Sequence, residues 1–148
     1  MLPIFKAQIY AIVVLGGTLT LPFVHIDPVL QPYYDEFQLE IKDCPPAIKA
    51  ASPKRIVEFT DDLEERTGNV GLCHRSVAFT RIEIDTKYWN KINDGMRYSL
   101  AIHEFAHCYL WSEHNNKPHH FMNPNMNNTT KKEVQDQLRQ EIKDICGT

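Results

Sequence analysis

No part of this sequence is rich in positive charge. Lysine and arginine number 16 against 19 aspartates and glutamates, a formal net charge of −3 with a pI near 6.1. Cations are scattered apart from short pairs such as Lys131-Lys132. The electrostatic footprint of a nucleic-acid binder is therefore missing, and no groove for a polyanion is implied. Internal repeats and low-complexity tracts are missing too. What remains is an ordinary soluble composition of 148 residues, one domain large enough to bury a modest core unaided.

The N-terminus is the exception to that composition. An apolar run from Ala7 to Val24 follows Lys6 and is broken by Gln8, Tyr10, two glycines and two threonines. This is the layout of a secretory signal or signal anchor. It lacks an A-x-A-type cleavage site, for which Thr18-Leu19-Thr20 is a poor substitute. About 18 residues is also the short end for a membrane span. Residues 1–24 read as a signal-anchor-like or assembly-docking segment, buried in a membrane or by neighbouring subunits, with a buried apolar arm as the other reading.

Cys44, Cys73, Cys108 and Cys146 allow three pairings. An export-like N-terminus favours disulfides; a reducing cytosol favours free buried thiols. Pro28, Pro32, Pro45 and Pro46 punctuate residues 25–50, which read as an irregular linker or arm with a short strand at Glu36–Ile41. Residues 51–148 form the remaining domain. Ser52 as N-cap, Pro53 in the first turn and Gly68 as stop predict a helix with Ile56, Val57, Phe59, Leu63 and Val70 facing inward. Alternation from Val77 to Ile84 predicts a half-exposed strand, with Thr80, Ile82 and Ile84 on one face. Asn93 or Asp94 caps a second helix running from Asp94 to Ser112. Thr130 and Glu133 make a capping box for a third, closed at Gly147. A loop rich in Asn, His and Pro separates the two. The expected fold is a small α+β domain.

His103-Glu104-Phe105-Ala106-His107 matches H-E-x-x-H. On a helix the two histidines lie one turn apart, offset by about 40° and 6 Å along the axis. Two imidazoles so placed chelate one zinc ion. Glu104, rotated about 100° from His103, reaches a water on that ion without displacing it. Its carboxylate then serves as general base. By chance the pattern arises in about one chain in a hundred of this length, so alone it is only suggestive.

A catalytic zinc takes three protein ligands and an open position. Were the helix to continue, His114 would sit about 10 Å beyond His107, out of reach of the same ion. Ser112 and Asn115-Asn116-Lys117-Pro118 supply a break that lets the chain fold back. His119 and His120 are reserve ligands; Glu133 ranks lower because the capping box explains it. Helix phase turns Cys108 about 100° from His107 and removes it as a ligand.

His103 to His114, followed by Phe121-Met122-Asn123-Pro124, resembles the metzincin-like zinc peptidases. It is most similar to small bacterial and phage proteins with a HELGHC-type helix, a histidine six residues after that cysteine, and a downstream S-I-M-N-P. The resemblance covers roughly residues 52 to 126, taking in Gly71-Leu72-Cys73 and the strand before the active helix. It implies a zincin-like domain, its active helix packed beside a short antiparallel or mixed sheet. It also implies Zn2+ on His103, His107 and His114, Glu104 as general base, and Met122 as the turn beneath the metal. Cys73 with Cys108 becomes the expected structural pair, leaving Cys44 with Cys146. In zincins the strand beside the helix takes substrate as an added β-strand; here Thr80, Arg81, Ile82, Glu83 and Ile84 are the residues expected to do so. The sequence departs from the family signature at Leu110, where glycine is usual, and at Glu113, where the third histidine would fall. No tyrosine follows Met122 to steady an oxyanion.

The expectation is a zinc metallopeptidase acting on a peptide or protein, membrane-anchored, exported, or virion-associated at the cell envelope. The competing expectation is a structural assembly protein whose zinc site only fastens the fold, its fourth position filled by His119, His120 or a partner. A membrane-anchored binding module without metal is the third.

Overall fold

A computed structural model describes residues 22–45, 52–125 and 129–147. Most of the N-terminal apolar run lies outside the described residues. Among the described residues four strands and five helices form an α+β domain: β1 Phe23–Ile26, α1 Gln31–Glu40, β2 Lys54–Thr60, α2 Leu63–Thr67, β3 Gly71–Arg75, β4 Phe79–Asp85, α3 Thr86–Lys91, α4 Asp94–Tyr109 and α5 Lys131–Cys146. The sheet order is β1-β2-β4-β3, with β3 alone antiparallel to its neighbour. No helix among the described residues is long and apolar enough to cross a membrane.

The core lies between the sheet and α1, α4 and α5. Val57, Ile82 and Ile84 project onto it from β2 and β4, all fully buried. Thr80, Ile82 and Ile84 share the inward face, as the alternation predicts. Against them α4 sets Ile102, Phe105 and Tyr109, and α5 adds Val134, Leu138 and Ile142 at helical spacing. Both long helices start as expected. Asn93 Oδ1 accepts from Met96 N–H at 3.0 Å, and the Thr130–Glu133 capping box is complete. Gly147 ends α5 with φ 69°.

Three expectations are corrected. Residues 25–45 are not an irregular arm: they form the end of β1 and then α1, and no strand runs through Glu36–Ile41. Leu30, Tyr34, Phe37 and Ile41 recur at helical spacing and are all buried. Pro32 sits in the first turn, where its missing N–H costs nothing. Residues 52–68 are not one helix. Lys54–Thr60 is a strand, because β-branched and aromatic residues there fill a gap between β1 and β4. Gly68 does act as a stop, but for the short α2. The predicted strand at Val77–Ile84 is β4, displaced to Phe79–Asp85, and β3 before it makes the pair a hairpin.

Two disulfides, Cys44–Cys146 and Cys73–Cys108, use all four cysteines. The first joins the end of α5 to the turn after α1; the second ties β3 to α4.

Candidate metal centre

The three expected histidines meet. His103 and His107 rise from one face of α4, their Nε2 atoms 3.0 Å apart, and His114 Nε2 lies 3.1 Å from that of His103. His114 reaches them because the helix stops. Leu110 N–H makes the last helical bond, to Ala106 O at 3.0 Å, and Trp111 turns left-handed with φ 60°. Ser112 N–H then bonds back to the same carbonyl at 3.2 Å. A bulky residue at positive φ is strained by roughly 1–2 kcal/mol. Arg75 holds the turn, its guanidinium 3.9 Å above the Trp111 ring and donating to His107 O. The reversal sits one residue later than the glycine of the family signature, and the third histidine is displaced by the same single residue.

The other ring nitrogens fix the tautomers. His103 Nδ1 faces Phe121 O at 2.7 Å, and His107 Nδ1 faces Ser112 O at 2.7 Å. A carbonyl only accepts, so both Nδ1 atoms carry the proton and both Nε2 atoms present lone pairs. The 3.0 Å approach of those Nε2 atoms is therefore not a hydrogen bond between neutral rings. Burial, followed by the neighbouring histidines, pushes His103 down to about 4, and burial lowers His107 as well, so protonation does not relieve the contact. A cation held between the lone pairs would. Zinc bonds of about 2.0–2.1 Å in a tetrahedral arrangement set the nitrogens roughly 3.3 Å apart, close to what is found. Among the described residues no fourth His, Cys, Asp or Glu joins the cluster. His120 is engaged instead by Asn115 and by Met122 N–H, Glu133 is held in its capping box, and Cys108 is in a disulfide.

The loop after His114 is fixed from two sides. Asn115 N–H donates to Met122 O at 3.0 Å. Gln137 on α5 accepts from Phe121 N–H and donates to His119 O. This sets the carbonyl that orients His103. Met122, fully buried, follows that carbonyl directly.

Glu104 is buried against β3. A Cβ at Gly71 would lie 2.7 Å from its Cδ, so only glycine leaves the carboxyl room. No described residue donates to it, and burial alone raises it to about 8. A cleft of about 600 Å³ opens between α4 and β3, lined by Val70, Gly71, Leu72, Arg75 and the histidines.

The expected substrate strand is corrected. Thr80, Arg81, Ile82, Glu83 and Ile84 lie in β4, paired with β2 on one side and β3 on the other, so no peptide can add there. The edge facing the cleft is β3. Val70 and Ser76 bond back to Asp85 and Phe79, leaving the alternate residues Gly71, Cys73 and Arg75 to turn their backbone groups to the free edge. Gly71, Arg75 and Trp111 carry roles that spacing did not reveal. The signals available were a glycine in a strand and a departure from the family pattern at Leu110. No protein-family profile, curated protein or solved structure matches the chain.

Proposed function

We propose that the chain is a zincin-like, zinc-dependent peptidase. The observation that carries this reading is the convergence of three Nε2 lone pairs, two fixed by carbonyls on their far nitrogens, beside a buried carboxyl in an open cleft. His103, His107 and His114 hold the ion, and Met122 serves as the turn beneath it. When bound, zinc lowers the pKa of its water towards neutrality and polarises the scissile carbonyl. Burial alone leaves the Glu104 carboxyl largely neutral at pH 7; beside a bound cation it would ionise, take the proton of the attacking water and pass it to the leaving amine. An extended peptide lies along Gly71, Cys73 and Arg75, held by main-chain hydrogen bonds with little demand on its sequence.

Zinc content and cleavage of an unstructured protein such as casein, measured on wild type and Glu104→Gln, test this. Expected is a single equivalent of zinc in both, with the rate in the variant down by about 10²–10⁴. Absence of cleavage in the wild type across a broad peptide library sinks the peptidase and leaves zinc as a fastener of the fold.

A further inference from the structure

We propose that the end of the sheet where β1, β2 and β4 begin is a membrane-docking face, seated on an anionic bilayer surface beside the N-terminal apolar run. Register places Phe23, Lys54 and Phe79 on one rung, with Val24, Arg55, Thr80 and Arg75 on the next. Ser76 N–H donates to Phe79 O across the β3–β4 turn, which projects Val77 at its tip. Val77 is 97% exposed, Phe23 and Trp111 53%, and Phe79 40%. Arg75, stacked on Trp111, brings the end of α4 to this same edge. Val29 and Leu39, the other exposed large hydrophobics among the described residues, lie past the far end of β1 and on α1. Exposed apolar groups gathered this way mark an interaction surface.

Three observations select the occupant. The apolar run from Ala7 to Val24 ends in β1 at this edge, so a bilayer that took up the run would lie next to this patch. Local charge is the second. Segments 22–24, 54–55, 75–80 and 111–113 carry Lys54, Arg55 and Arg75 against Glu113 alone, in a chain whose net charge is −3. That cationic excess suits anionic headgroups and opposes a second copy of the same face. The third is side-chain type. Trp, Phe and long cations settle at a bilayer surface, apolar body inward and charge outward.

The full chain is bound to phosphatidylcholine–phosphatidylglycerol vesicles with and without brominated acyl chains, and tryptophan emission is read. Trp89 is buried in the core, so Trp111 is the reporter and Trp111→Phe the blank. Bromolipid is expected to quench a blue-shifted component that the blank lacks. Val77→Asp with Phe79→Ser is expected to reduce that component at least about twofold at equal amounts of vesicle-bound protein. Both positions are exposed, and an unchanged far-UV spectrum confirms the fold. A chain that sediments with vesicles while Trp111 escapes quenching overturns the proposal, since the run alone then touches lipid. Trp111 shielded from iodide in the lipid-free monomer overturns it in favour of the run folding back. Shielding that grows with protein concentration overturns it in favour of a second copy.

Discussion

Helix α4 has two buried sides made of opposite materials. Towards α1, Phe105 and Tyr109 interlock with Tyr34 and Phe37, ring centroids 5.5 to 6.1 Å apart. Towards β3 and the returning loop stand His103, Glu104 and His107. Phe105 is fully buried, and His103 and Glu104 are nearly so, each 5% exposed. Burial stabilises the first side at roughly 25 cal/mol per Å². The second side loses by it: burial pushes His103 down to about 4 and Glu104 up to about 8, both away from their charged forms. Apolar packing therefore holds the fold. The site is kept in place by tethers: two carbonyls on imidazoles, a disulfide, Arg75 over Trp111 and Gln137 on the loop.

The division can be broken from either side. Phe105→Ala is expected to cost about 3–5 kcal/mol in denaturant unfolding while the folded fraction keeps its metal stoichiometry. Metal loss with an unchanged midpoint would erase the distinction. The disulfides sharpen it. Cys44–Cys146 spans 102 residues and lies away from the histidines, so Cys44→Ala with Cys146→Ala costs about 4 kcal/mol of stability and leaves zinc affinity unchanged. Cys73–Cys108 spans 35 residues and anchors β3 beside His107. Replacing both of its cysteines costs slightly less stability but weakens zinc binding by about 10- to 100-fold in a chelator competition. Equal affinities for the two variants would show that β3 is not a tether of the site.

Gly71→Ala probes a finer point. The added methyl meets the Glu104 carboxyl rather than any metal ligand. Zinc content should hold while turnover of a peptide falls by about 10²-fold, the scale of a misplacement near 1 Å. Lost zinc would mean that β3 itself had moved.

Legibility in the sequence followed the range of the forces involved. Asn93, the Thr130–Glu133 box and Gly147 act within a turn, and each could be read directly. His103 and His107 were legible because helical spacing alone brings them together. His114 required a reversal, and Ser112 with Asn115-Asn116 announced one. The left-handed residue itself, Trp111, carried no such signal, since its strain is offset by Arg75 from a strand 36 residues earlier. Strand β2 was hidden for a related reason. Ser52, Pro53 and Gly68 are local helix signals, whereas Lys54–Thr60 becomes a strand only because β1 and β4 flank it. The free edge of β3 depends on which strand pairs with which, and that lies beyond any local pattern.

A second buried carboxylate gives the smallest and most specific test of the contrast. Asp85 is 1% exposed, yet its pKa moves the opposite way from that of Glu104. Burial would raise it, but N–H groups at the starts of α2 and α3 outweigh that, Glu64 N–H at 3.0 Å and Tyr88 N–H at 2.8 Å among them. Among the described residues Glu104 has no such donors. A carboxyl held below its unfolded value contributes stability in full above that value, near 4, and loses it as pH falls through the folded one. Asp85→Asn is therefore expected to cost about 1–2 kcal/mol at neutral pH and to flatten the acid limb of the stability curve below about pH 4. Zinc binding should not change. An acid limb as steep in Asp85→Asn as in the wild type would place the responsible group elsewhere. It would also remove the contrast between a carboxylate fixed for the fold and one left free of donors in the cleft.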